Sequence, residues 1–153
     1  MNKQIDRIKS IRLYLLELVK DLSVEQLNEI PSGFNNNIIW HLGHLTAAQQ
    51  GVCYSRAGLK PVVEEKYLVL YRPGTKPEQL VAAEEVEMIK DLLISPLDQF
   101  DQDLSGNLFA NYPAWTTRYG VELASIQDAL DFLLFHEGLH SGHITAMKKL
   151  VKK

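Results

Sequence analysis

The chain has 153 residues, of which 46% are apolar and 23% charged, with a net charge of −3 at neutral pH and a pI near 5.9. That length can bury one core without disulfides, so a single domain over residues 1–153 is expected. The charge argues against nucleic acid as the partner, because no basic stripe runs through the chain and the terminal "KKLVKK" reads as cations closing a helix end.

Ile8, Ile11, Leu15, Leu18 and Leu22 alternate steps of three and four, which predicts a helix over residues 2–22. Ser23 with Gln26 three positions on matches a capping box and starts a short helical turn, ended by Pro31 and Gly33. A second helix is expected from about residue 36 to 56, through "NIIWHLGHLTAAQQGVCYSR". Residues 57–76 form a connection punctuated by Gly58, Pro61, Pro73 and Gly74, with a β-like run "YLVLY". Thr75 followed by Pro77 and Glu78 predicts the start of a third helix. Val86, Ile89, Leu93, Leu97 and Phe100 mark its apolar face, with Pro96 kinking or restarting it and Ser95 capping the restart. Residues 104–124 read as a linker, and Ser125 with Asp128 opens a fourth helix that runs to the C-terminus.

Four amphipathic helices with little strand signal predict an all-α fold, a four-helix bundle whose long connections allow a crossover topology. No apolar run approaches the ~18 residues of a membrane span, and the polar "MNKQIDRIKS" is unlike a secretory leader. The single cysteine, Cys53, fits a reducing compartment. The expectation is a cytoplasmic protein with a small-molecule substrate and no nucleic-acid or membrane partner. Apolar residues spread around the helices leave room for a homodimer.

All five histidines fall in two short stretches, His41 and His44 on the second helix and His136, His140 and His143 on the fourth. At ~100° per residue the latter three share a narrow face with Ala129, Phe132, Leu133 and Met147, so that face is expected to point at the core. An unpaired buried polar group costs about 1–3 kcal/mol. A divalent cation satisfies several ring nitrogens together, and bundle cores build such sites from facing helices. If the face carrying Trp40 and His44 meets the fourth helix, His44, His136 and His140 form a three-imidazole set. Such a set leaves coordination positions open for water or substrate, as a working rather than structural metal requires. Metal affinity is expected to fall as pH drops through the low sixes, since imidazolium cannot coordinate.

"HEGLH" also spells the zinc-protease pattern H-E-x-x-H. Only 13 residues follow His140, none of them Asp or Glu, and no strand accompanies the motif, so a protease is not expected. Glu137 lies about 100° round from His136. It reads either as an ordinary helix carboxylate or as a base or hydrogen-bond acceptor beside the metal. Gly43, Gly138 and Gly142 leave room for substrate or, as the preferred reading, for a close neighbouring helix. Trp40, Tyr112, Trp115 and Tyr119 could line a pocket or cap the bundle end. Asn35, Asn36 and Asn37 read as a helix cap, one of them in reach of a ligand imidazole.

"GFNNNIIWHLGHLTAAQQ" and "ALDFLLFHEGLHSGHITAMKKL" together resemble the DinB/YfiT-like superfamily of small metal-binding four-helix bundles. The resemblance implies that the metal ligands are His44, His136 and His140, the trio the helical geometry also favours. It implies a divalent metal ion, zinc or nickel, and, for members of known activity, a low-molecular-weight thiol in S-transfer chemistry or a related reaction, with hydrolysis by activated water as the sister version. His143 departs from the family pattern and is open to a role as fourth ligand, donor to a ligand or substrate contact. Glu137, His143 and His41 are the candidate catalytic residues. The competing expectation is a non-catalytic metal-binding or stress-response module.

Overall fold

The computed structural model describes residues 1–152. Its first helix, α1 (Lys3–Val19), is capped by the Asn2 side chain, which accepts from the amides of Gln4 and Ile5. Its buried face is Ile5, Ile8, Arg12, Leu15 and Val19, whereas Ile11 and Leu18 are only half buried. The true stripe is therefore rotated from the predicted one and carries a cation at its centre. Ser23 opens α2 (Val24–Asn28) with the expected capping box, the Gln26 side chain returning to the Ser23 amide.

α3 (Ile38–Gln50) is buried at every residue and continues through a π-helical turn over Gly51–Ser55. A helix that is apolar or tightly paired all round can only sit in the middle of a bundle. α3 does so, packed against α2, α4, α5 and α7, while α1 lies along α7.

"YLVLY" is not extended. It lies in α4 (Glu65–Tyr71), with Tyr67 and Tyr71 four residues apart and both buried. One apolar face at i, i+4 against α3 outweighs the weak β preference of a run with a single β-branched residue. The third helix also begins later than predicted, at Ala83 rather than near Pro77. The Thr75 hydroxyl opens no helix; it donates to the carbonyls of Leu70 and Arg72 at the end of α4 and receives the indole N–H of Trp40. α5 (Ala83–Leu92) and α6 (Pro96–Ser105) are separated at Pro96, as expected, but Ser95 is itself helical and offers no side-chain cap. The linker 104–124 holds a short antiparallel pair, β1 (Trp115–Thr116) and β2 (Glu122–Leu123), in an otherwise all-α chain. α7 (Ile126–Val151) starts at Ser125, whose hydroxyl accepts from the Asp128 amide.

The four long helical strokes are thus α1, α3, the α5–α6 pair and α7. Two apolar clusters fill the space between them, one centred on α3 and the other joining Ile5 and Ile8 to Tyr54, Phe100 and Leu130. Among the described residues no helix is long and apolar enough to cross a membrane.

Candidate metal centre

α3 and α7 meet at their histidines. His44 Nε2 stands 3.2 Å from His136 Nε2, which stands 3.1 Å from His140 Nε2. One ligand atom from each of the three lies within 4.8 Å of the other two. Two nitrogens about 2.05 Å from a tetrahedral zinc are about 3.3 Å apart, so these separations match the edge of a coordination polyhedron.

The second nitrogen of each ring decides the proton inventory. His44 Nδ1 lies 2.7 Å from the Tyr71 carbonyl oxygen. A carbonyl only accepts, so Nδ1 carries the proton and Nε2 presents a bare lone pair. Burial is the main force lowering all three pKa values, holding His136 at about 3 and His140 at about 2, so all three rings are neutral at neutral pH. With one proton per neutral ring, a single Nε2–H has one direction, so the two Nε2···Nε2 contacts cannot both be linear hydrogen bonds. A cation receiving three lone pairs removes that conflict. The donor set therefore fits a divalent metal on chemical as well as geometric grounds.

The surrounding residues fix the rings. The Trp40 indole stacks on His44 with centroids 4.6 Å apart and planes 10° from parallel, and its N–H is held by Thr75. His140 Nδ1 meets His41 Nδ1 at 2.8 Å. If His140 turns its Nε2 lone pair to a metal, its Nδ1 proton goes to His41, which is then an acceptor behind a ligand. His136 Nδ1 has no protein partner among the described residues. The asparagines supply no bond to a ligand imidazole. Asn37 caps α3 at the Trp40 amide and ties it to the Asn28 carbonyl.

α4 turns out to be part of the site. Its C-terminal Tyr71 offers the carbonyl that orients His44, and the Tyr71 ring covers Gly43 so closely that a Cβ there would lie 2.6 Å from it. Gly43 therefore serves a close helix approach, as expected. Gly138 and Gly142 do not, since a Cβ at either meets nothing within 4 Å.

The rings open into a cleft of about 1440 Å³ lined from α3, α4, the β1–β2 hairpin and α7. Trp40, Trp115 and Tyr119 line it. Tyr112 is buried beneath, bonding the Val52 carbonyl and the Trp115 indole N–H. His143 does not point into the core with its neighbours; it is exposed at the cleft, edge-on to Phe34. One α-helical turn separates it from His140, and α3 covers only the inner part of that face.

Glu137 is not a solvated carboxylate. It is fully buried and ion-paired with the equally buried Arg12, whose Nε and one terminal nitrogen both donate to Oε1, at 3.0 and 2.7 Å. The same guanidinium donates to the carbonyls of Leu93 and Leu45, so one side chain joins α1 to α3, the α5–α6 junction and α7. Burial pushes the Glu137 carboxyl above the ordinary carboxylate range, and Arg12 pulls it only part of the way back. Arg12 was missed in the sequence, although a lone arginine at a 3–4 step between Ile8 and Leu15 was the available signal. Cys53 is a buried thiol, pushed up by burial and unsuited to nucleophilic work.

Burial lowers the proton affinity of each ring, so protons compete for these nitrogens less than for a free imidazole. Among curated proteins no significant match to the chain is found. A family model does match, spanning residues 7–144, and with it the histidine-bearing bundle described above places the chain in the DinB superfamily.

Proposed function

We propose that this protein is a metal-dependent enzyme holding one zinc or nickel ion on His44, His136 and His140 and activating a low-molecular-weight thiol, or water, toward a small electrophile. The observation that carries the reading is the convergence of three neutral imidazole lone pairs at the floor of an open cleft. Three neutral ligands leave the full ionic charge of a divalent metal, and that charge lowers the pKa of a bound thiol or water. The chain's own residues do the rest. Tyr71, Trp40 and His41 hold the rings in place, and burial keeps protons off them. The cleft admits a small substrate beside the site. When the thiol sulfur bonds to the electrophilic carbon, the leaving group departs with its electron pair and the thiol proton must go to a base. Of the three candidate residues, Glu137 is locked to Arg12 and His41 is engaged by His140. His143 is exposed in the cleft and is the proposed proton acceptor.

Metal analysis of wild type beside His44→Ala and His140→Ala tests the site, with near-stoichiometric metal expected only in wild type. Cobalt substitution tests the chemistry. A thiol-dependent charge-transfer band supports activation, whereas a d–d spectrum indifferent to thiols assigns the protein to the non-catalytic metal-binding class.

A further inference from the structure

The cleft that holds the histidines has a charge of its own. Its walls carry Arg56, Arg72, Lys76 and Arg118 against the single carboxylate Glu65. The whole chain has 19 acidic and 16 basic residues, so acids are kept out of the cleft in a protein whose overall sign is negative. Among the described residues none of these four cations forms an ion pair with a carboxylate. Two of them are nevertheless held. The Arg56 guanidinium lies 4.0 Å over the Trp115 ring, and Arg118 lies 4.9 Å from the Tyr119 ring centroid with one N–H on the Tyr119 hydroxyl at 2.7 Å. Aromatic faces orient a guanidinium without neutralising it, leaving N–H groups free for a planar oxyanion. Arg118 sits at the tip of the β1–β2 hairpin, between Thr117 and Gly120, whose amide closes the turn on the Thr117 carbonyl. From there its charge reaches the histidine cluster, contributing to the lowered pKa values of both His44 and His136.

We infer that the cleft selects an acidic small thiol, one whose carboxylate is taken by Arg118 and Arg56 of the cleft wall while its sulfur lies toward the His44–His136–His140 cluster. This rests on the proposed thiol chemistry and adds the charge class of the thiol to it. The hairpin, which otherwise merely connects α6 to α7, becomes the specificity element.

The test uses the full chain loaded with Co²⁺, titrated with 3-mercaptopropionate, with its neutral amide 3-mercaptopropionamide, and with cationic cysteamine. Binding is read from the sulfur-to-cobalt charge-transfer band. In low salt the acid should bind at least fivefold more tightly than the amide, with cysteamine weakest, and the preference should shrink as salt screens the rim charges. Arg118→Gln and the pair Arg56→Gln/Arg118→Gln should lower the acid-to-amide preference toward one while leaving cobalt stoichiometry and amide affinity unchanged. Equal affinities for acid and amide in wild type, or a preference that survives in the double variant, overturns the inference. Failure of the protein to bind cobalt, or of any thiol to produce the band, overturns the proposed function instead, so the two failures are distinct.

Discussion

Arg12 and Glu137 make the strongest prediction, because both side chains are wholly buried and each can be removed alone. In Arg12→Met the Leu93 and Leu45 carbonyls lose their donor and Glu137 loses its counter-charge. A carboxylate can avoid being buried as an ion by taking a proton. Relative to an ordinary value of 4.5, that costs about 1.4 kcal/mol per pH unit, or about 3.4 kcal/mol at pH 7 and about 0.7 at pH 5. Adding roughly 1–3 kcal/mol for the orphaned carbonyls, we expect a loss of about 5 kcal/mol at pH 7, or about 10–20 °C in Tm. The sign is fixed: the neutral carboxyl in the fold has a pKa above its unfolded value, so the deficit is small below pH 4.5 and grows as pH rises. Glu137→Gln strands a guanidinium that cannot deprotonate, and should cost about 3–5 kcal/mol at both pH values. Urea denaturation of the three proteins at pH 7 and pH 5 reads this directly, each variant compared with wild type at the same pH so that histidine titration cancels. The reasoning fails if either single variant lies within 1 kcal/mol of wild type at pH 7, or if the Arg12→Met deficit does not shrink at pH 5. Replacing both partners, as in Arg12→Met/Glu137→Leu, should recover much of the loss.

Metal content measured after gel filtration should stay level from pH 8 to pH 5 and fall only below about pH 4, given ring values of about 3 and about 2; half-release by pH 6 would contradict the buried, neutral cluster. Without metal the same histidines weaken the fold in acid. Their folded values lie below 6.5, so stability is intact above that pH and falls as pH drops below it, visible as a declining Tm. Gly43→Ala should lose about 1–3 kcal/mol against the Tyr71 ring and lower metal occupancy by displacing the carbonyl that orients His44, whereas Gly138→Ala and Gly142→Ala should each gain up to ~1 kcal/mol in thermal melts. His143→Gln should abolish most turnover with metal content unchanged, and full activity in that variant would remove the assignment of His143 as proton acceptor.

The helical periods, the caps at Ser23 and Ser125, the break at Pro96 and the clustering of histidines were legible in the linear chain, because each depends on residues within a turn or two of one another. The same local spacing put His136 and His140 on one face of α7 and made His44 their natural complement. Other features had no local signal strong enough to read. α4 is helical because Tyr67 and Tyr71 find α3, and an isolated seven-residue segment has too few hydrogen bonds to offset its nucleation cost. Arg12 is a core residue because Glu137 arrives 125 positions later. Glu137 in turn looked like an ordinary neighbour of His136 until the partner that claims it was in place. The charge of the cleft belongs to no segment, since its cations come from the residue after the π-helical turn, the loop after α4 and the hairpin. Local sequence specifies dihedral angles and periodicity, which are short-range. Which buried ions are paired, and which charged groups face a common space, is decided only when distant segments pack and exclude water between them.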